Sequence, residues 1–449
     1  MNETRQMAKF VVDMKFDELP TALVDQLRIV VLDAICAGFV GTIQPAARTV
    51  LALARDLGGK GEVSMINQSF KLDVSRAALV NGTLIGAFEC EPLTGSHASG
   101  TAFPAALAIA EREHLDGRAF ITALALGYEV SGRLSRTAVG LESVRGFHNP
   151  GTQGTFAAAT AVGKLLGFDE PTLVNALGVA GSSSSGLLEF AWDGADTKRI
   201  HLGRASQLGL EAALLAKGGF TGPATVIEGQ YGYFNAFSMP TDVTEFVADL
   251  GKKWLIQPGA HKSYATHNSH QATVHAIQRF KAAHPSFDPR TLTKISVRGS
   301  ERLTEGRHSV PDPVTVMGGQ YSLPFATAVA LTRDMSNPLV FNDEVLVDPL
   351  VRDISKRIEL MTDEEKNLPA GRDQSEIILE FGGERHVIAT KPHPGSQDAP
   401  FTWDEVSAKF RRYTASIIGA DQASAVIDAV ARIPDSSDMA EVTQAFAAK

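Results

Sequence analysis

Four short segments hold the residue types that move protons or bind anions, and each also admits a plainer explanation. Gly146-Phe147-His148-Asn149-Pro150-Gly151-Thr152-Gln153-Gly154 places one His among Asn, Thr and Gln with three glycines. Such a loop lets backbone approach a ligand beside a group that titrates near neutrality. Its plainer reading is a helix connection whose glycines serve turn geometry and whose His is solvated. Thr94-Gly95-Ser96-His97-Ala98-Ser99-Gly100-Thr101 follows the acids Glu89 and Glu91. Carboxylates beside an imidazole shift one another's proton affinities toward acid–base work; alternatively the segment is a helix start capped by Thr101. Asp196-Thr197-Lys198-Arg199-Ile200-His201-Leu202-Gly203-Arg204 gathers cations before a long apolar helix, where charge and helix N–H groups could hold a carboxylate. Solvated Lys and Arg at an element boundary are the alternative.

The fourth segment, Gly259-Ala260-His261-Lys262-Ser263-Tyr264-Ala265-Thr266-His267-Asn268-Ser269-His270, spaces His267 and His270 as H-x-x-H, with His275 further on. It lacks H-E-x-x-H and an accompanying carboxylate, so acid–base or substrate-binding roles are expected in place of a metal. Gly181-Ser182-Ser183-Ser184-Ser185-Gly186 never satisfies G-x-S-x-G and reads better as close helix packing or a helix end. There is no G-x-G-x-x-G after a strand, and Gly163-Lys164 is followed by Leu165 where a P-loop needs Ser or Thr. No nucleotide, redox or metal cofactor is expected.

The elements that must position these residues are mostly helices. Apolar residues recur at helical spacing from Pro20 to Gly38, and a second helix closes at Gly58-Gly59. Residues 73–88, 102–113, 117–134, 153–166, 171–181 and 204–217 repeat the pattern. Several of these are Ala-rich and apolar round much of their circumference, as helices inside a helical domain are. After about residue 290, Lys294–Arg298, Glu376–Phe381 and Arg385–Ala389 alternate as strands do, the last two joined through Gly382-Gly383. Residues 402–413 and 420–446 return to helix. The fold class is therefore mainly α with a smaller α+β domain: a helical domain over 1–267, an α+β lid over 268–395, and a return to the helical domain over 396–449.

Composition narrows the function. A chain of 449 residues with 44% hydrophobic content fills two cores. Its net charge of −9, without basic runs, argues against nucleic acid as a partner. Local Lys, Arg, His and helix N-termini can still make an anion site in an acidic protein. The two cysteines, Cys36 and Cys90, lack C-x-x-C spacing and fit a reducing compartment. Met-Asn-Glu-Thr-Arg-Gln lacks the features of a signal peptide, and no apolar run reaches the roughly 20 residues of a membrane span. A cytoplasmic protein with no membrane partner is expected.

Taken in order, these segments resemble the MmgE/PrpD family, which includes 2-methylcitrate dehydratase, cis-aconitate decarboxylase and iminodisuccinate epimerase. The resemblance is carried by Leu32-Asp33, Asn81-Gly82-Thr83, His97-Ala98-Ser99-Gly100, the His148 loop, Asp196-Thr197-Lys198 through His201-Leu202-Gly203, Gly218-Gly219-Phe220-Thr221-Gly222-Pro223, Thr266-His267 and Gln320-Tyr321-Ser322-Leu323-Pro324. It implies a helical domain with a smaller α+β lid, a homodimer, and an active site between the domains. It puts His97, His148, Lys198 and Tyr321 on functional positions. The family's acidic D-x-D-D-T stretch falls on Glu89-Cys90-Glu91-Pro92-Leu93, where Pro92 replaces the third acid and Leu93 the Thr. Gly86 stands where a His is usual, and the Lys expected shortly before His261 is Ile256 or Gln257, with Lys262 as the nearest substitute.

The family reactions require a carbanion beside a carboxylate, with the charge absorbed electrostatically by the protein. Dehydration also needs an acid for the leaving hydroxyl, whereas epimerisation needs only two groups on opposite faces of one carbon. The departures in the acidic stretch weaken elimination more than epimerisation. The first expectation is thus a cofactor-independent isomerase resembling iminodisuccinate epimerase and acting on a small polycarboxylate. In it, His148 and Lys198 or Tyr321 exchange the proton, while His97, Lys262, Glu89, His267, Arg199 and Arg204 bind or orient the substrate. A lyase resembling 2-methylcitrate dehydratase or cis-aconitate decarboxylase is the alternative. A ligand-binding protein that kept the fold without catalysis is the reading from another class.

Overall fold

A computed structural model describes residues 2–367 and 374–448; positions 1, 368–373 and 449 at the ends or within the expected domains lie outside the described residues. The chain divides into two compact units. Met1–Leu188, Thr197–Gly259 and Thr402–Lys449 form the first, and Glu189–Asp196 with Ala260–Phe401 the second. Mainly helical structure is the observed class, with a two-stranded antiparallel sheet, Val63–Ser64 with Lys71–Leu72, in the first unit and a small four-stranded mixed sheet in the second.

The first unit is helical because its segments are apolar round most of their surface and must be covered on every side. Thr94–Arg112 buries Ala98, Ala102, Ala105, Ala106, Ala108 and Ala110, and Asn149–Leu165 buries Ala157, Ala158, Ala159 and Ala161. Small side chains let axes approach closely. Thr197–Lys217 packs against Asn149–Leu165, Val74–Ile85 and Glu170–Ser182, and at its crossing with Val74–Ile85 two glycines meet. A Cβ on Gly82 would stand 2.7 Å from Gly203 Cα, and one on Gly203 would stand 2.1 Å from Leu79 O. No side chain fits there without separating the helices.

The C-terminal return is held by a buried ion pair. Lys409 in Trp403–Thr414 places Nζ 2.6 Å from Asp33 Oδ1 in Thr21–Gly41 and donates to Cys90 O at 3.1 Å. Burial pulls the Lys409 pKa down, but Asp33 and the neighbouring thiols outweigh it and the net shift is upward. The ammonium therefore stays charged while tethering the chain between Glu89 and Glu91.

In the second unit a four-stranded sheet runs in the order Ile358–Thr362, Lys294–Gly299, Ser375–Phe381, Glu384–Ala389. Lys294–Gly299 pairs in parallel with Ile358–Thr362 (Ile295 opposite Ile358) and antiparallel with Ser375–Phe381 (Val297 opposite Ile377). The expected Gly382-Gly383 hairpin joins the last two strands, both glycines having positive φ. Gln271–Ala283 packs on the two hairpin strands.

The structure differs from the sequence reading in several places. Ile358–Thr362 is a strand that the period did not announce, because only Ile358 of its five residues is buried. Helices begin earlier than expected, at Asn149 and Thr197, since polar first turns carry no apolar period. Residues 420–446 are two helices, Ala420–Ala431 and Met439–Gln444, separated at Ile433–Asp435, where Pro434 cannot continue a helix. No helix among the described residues is long and apolar enough to cross a membrane.

Candidate active site

His148 is the residue before the first turn of Asn149–Leu165, with extended backbone (φ −86°, ψ 117°) that a helix entry requires. Its N–H donates to Gly186 O at 2.9 Å, Leu188 N donates to Gly146 O at 2.8 Å, and Phe147 bridges Leu187. The loop is thus clamped to the segment after the serine run. That run ends the helix Glu170–Ser182, and Ser184 Oγ donates to Thr152 O at 2.7 Å. Gly151 is required there: a Cβ would stand 2.2 Å from Ser185 O.

The sequence around His97 folds in an unexpected way. After Thr94 the chain makes a turn of three consecutive left-handed residues, Gly95, Ser96 and His97, with φ of 59°, 54° and 62°, and the regular right-handed helix follows from Ala98 to Arg112. Thr101 lies well inside that helix, so the reading of Thr101 as its N-cap is corrected. Glu89 is left-handed as well, with φ 55°. Such conformations cost about 1–3 kcal/mol each for residues with a Cβ and persist only where surroundings enforce them. The Lys409 tether on Cys90 O is one such constraint.

These elements bring six ionisable side chains together. Lys198 Nζ is ion-paired with Glu89 Oε1 and lies 3.9 Å from Glu91 Oε1. Glu91 Oε1 is 3.0 Å from His97 Nδ1, the His97 and His148 ring centroids are 6.4 Å apart, and His148 Nδ1 is 3.1 Å from His201 Nδ1. Relative exposures of 1% for Lys198, 1% for Glu89, 0% for Glu91 and 4% for His148 dispose of the solvated readings of these residues. Burial, followed by the Lys198 charge, pushes the His201 imidazole down to about 4. The arrangement supplies one ammonium, two carboxylates that orient it, and imidazoles that can pass a proton.

A second cluster lies in the other unit. The His267 ring centroid is 4.8 Å from that of Tyr321 and 4.5 Å from that of His308, and His270 Nε2 is 3.2 Å from His308 Nδ1. His308 Nδ1 is also 3.1 Å from Tyr321 O, and the two rings are parallel within 5°. Burial holds His267 and His270 well below the ordinary histidine range. It brings His308 to about 4, with Arg307 adding to the effect. Lys262, buried, contributes to the electrostatic field at His267. Neutral imidazoles are also what a metal ion needs. One ligand nitrogen each from His267, His270 and His308 lies within 4.8 Å of the others. A tetrahedral zinc site would draw them to about 3.3 Å, as its Zn–N bonds of about 2.0–2.1 Å demand. The His270–His308 pair has that separation as a hydrogen bond, and no carboxylate joins the group among the described residues.

The expected site residues therefore fall into two groups. His97, His148, Lys198 and Glu89 converge in the first unit, and Tyr321, His267 and Lys262 in the second. Arg199 is buried beside Lys198. Arg204 is exposed and donates to Gln207 Oε1 at 2.7 Å. Six residues at about 100° each turn it some 240° round the helix from Lys198. His201, three residues after Lys198 and on its face, was legible from that spacing but missed. His308 had no local signal at all.

Comparison with known proteins follows this geometry. Residues 5–245 match the MmgE/PrpD N-terminal domain and residues 264–434 the MmgE/PrpD C-terminal domain. The chain is 25% identical to the cis-aconitate decarboxylase-like protein oryM of Aspergillus oryzae, over 98% of this chain and 96% of that protein. It is 25% identical to cis-aconitate decarboxylase of Aspergillus terreus (97% and 94% covered) and 24% identical to that of Homo sapiens (98% and 93%). With both domain matches spanning most of its length, the chain belongs to the MmgE/PrpD family.

Proposed function

We propose that this protein is a cofactor-independent lyase that decarboxylates a small unsaturated polycarboxylate of the cis-aconitate kind. The observation that carries the reading is the buried Glu89–Lys198–Glu91–His97 chain with His148 alongside. The end-to-end similarity to relatives named as cis-aconitate decarboxylases supports it. This reverses the order in which epimerisation stood first. That order rested on a degraded acidic stretch, yet Glu89 and Glu91 both face Lys198, so the carboxylates that matter to the site are kept.

In the proposed step the electron pair of the bond to the departing CO2 forms a new C=C bond. The original C=C pair moves to the carbon beside a second carboxylate, giving an enediolate-like anion. Lys198 stabilises that charge in a water-poor site. His148, protonated, delivers a proton to the anionic carbon, and a solvent proton reloads it, since decarboxylation consumes one proton per turnover. Glu91 Oε1 stands 3.0 Å from His97 Nδ1, and both glutamates fix the Lys198 ammonium.

The test is turnover of cis-aconitate in D₂O followed by NMR. CO2 release with one deuterium in the product supports the reading. Deuterium at a chiral carbon of iminodisuccinate without CO2 restores the epimerase. A growing enoate absorbance from 2-methylcitrate makes the protein a dehydratase, and binding without turnover of any of the three makes it a ligand-binding family member.

A further inference from the structure

His201 has no part in the step above, yet its ring meets the ring of His148. The two Nδ1 atoms are 3.1 Å apart, and two nitrogens at that distance share one proton. The contact is built from both sides. His201 follows Lys198 by one helical turn, and the His148 backbone is pinned by its bond to Gly186 O. Gly186, at a φ of 116° that side-chain-bearing residues rarely adopt, lies beside the His201 ring, a Cβ there standing in ordinary contact 3.4 Å from its Nδ1.

Two arrangements of the shared proton exist. If His201 donates, His148 carries its own proton on Nε2, and protonating it further would set N–H against N–H and break the contact. If His148 donates from Nδ1, its Nε2 can gain and lose a proton while the bond to His201 persists. Only the second arrangement survives both charge states of His148. The surrounding charges agree with it. Lys198 on the same helix disfavours a second cation on His201, and the Glu91 carboxylate stands 3.0 Å from His97, whose ring centroid is 6.4 Å from that of His148.

We propose that His201 is a positioning residue: by accepting the Nδ1 proton of His148 it fixes the tautomer in which His148 Nε2 is the atom that takes up and delivers the proton. This rests on the reading of His148 as the proton donor. His201→Phe keeps a ring of similar size without an acceptor, and His201→Gln restores an acceptor oxygen.

The experiment has two arms. In ¹⁵N-histidine-labelled wild-type protein at pH 7.5, two-bond proton–nitrogen spectra should show His148 protonated at Nδ1 and bare at Nε2, with a tautomer mixture in His201→Phe. In turnover of cis-aconitate, His201→Phe should lose roughly 10- to 100-fold in kcat, with KM within about twofold and the alkaline limb of the pH profile displaced. His201→Gln should recover most of the loss. A His148 proton on Nε2 in the wild type overturns the proposal, as does a His201→Phe enzyme with unchanged kcat and pH profile. The wild-type nitrogen spectrum needs neither substrate nor a folded variant. A correct tautomer in a protein that turns over no polycarboxylate would therefore sink the lyase reading and leave the His201–His148 geometry standing.

Discussion

Replacing Lys198 by Met removes the ammonium from between two buried carboxylates while keeping most of the side chain's apolar length. Lys198 and Glu89 are each about 1% exposed and Glu91 is fully buried, so water cannot take over the lost interaction. Removing one partner of a buried ion pair costs about 3–5 kcal/mol, because the remaining charge keeps its desolvation penalty. The first unit spans about 300 residues. At about 2.1 cal/mol/K per residue of unfolding entropy the loss corresponds to a Tm lowered by roughly 5–8 °C. Most of the deficit belongs to Glu89, since Glu91 keeps its contact with His97. Neutralising Glu89 on the same background, in Lys198→Met/Glu89→Gln, should return at least half of it. Thermal and urea unfolding of the wild type, both single variants and the double variant at pH 7.5, read by far-UV circular dichroism, complete the cycle. A Lys198→Met protein within 1 kcal/mol of the wild type would refute the reasoning, as would a double variant no more stable than the single one. A consequence for interpretation is that Lys198 variants lose both turnover and stability, so loss of stability there does not argue against catalysis.

His148 separates the two effects better. Its side chain caps nothing, so His148→Gln should cut turnover by roughly 10²- to 10⁴-fold while Tm moves by only a few degrees. Arg204→Ala should leave kcat/KM within about twofold, because its guanidinium is exposed and bonded to Gln207; a tenfold loss would return it to the substrate-binding set. The second-unit imidazoles should make the protein acid-labile. His308 takes a proton near 6.5 when unfolded but only near 4 when folded, so the unfolded state binds more protons and stability falls as pH drops from 6.5 toward 4. At 1.36 kcal/mol per pH unit the full loss is about 3 kcal/mol for this ring, and about 2 kcal/mol of it is spent by pH 5. Buried His267 and His270 add in the same direction. The drop in unfolding free energy between pH 7 and pH 5 should shrink in His308→Phe; an unchanged drop would show that this ring does not titrate as described.

Much of the helical architecture is written locally. Leu23, Leu27, Val30, Val31, Ala34 and Ile35 spell one buried stripe, and the observed helix Thr21–Gly41 buries all of them. Alternation at Ile377 and Leu379 likewise announces the buried face of the strand Ser375–Phe381. Where side-chain period and burial coincide, composition suffices. Where burial is slight, as at Ile358–Thr362, or where a first turn is polar, as at Thr197, the period falls silent and hydrogen bonding alone defines the element.

The chemistry was legible as residue types and not as partners. His97, His148 and Lys198 stand in segments whose small residues already suggested a site, but nothing local says that Glu89 turns back to Lys198 through a left-handed residue, since that conformation is imposed by neighbours. Nor does the order of residues say that Glu189–Asp196 leaves the first unit for the second while Thr197 and Lys198 return to it. By itself the sequence determined the helical class, the candidate imidazoles and ammonium, and the absence of nucleotide-binding signatures, because these depend on period and residue type. Only the tertiary structure decided which charges meet: Glu91 with His97, His201 with His148, and His308 with His270. Pairing energies between groups as far apart in the chain as His148 and His201 arise only once the chain has folded and excluded the water between them.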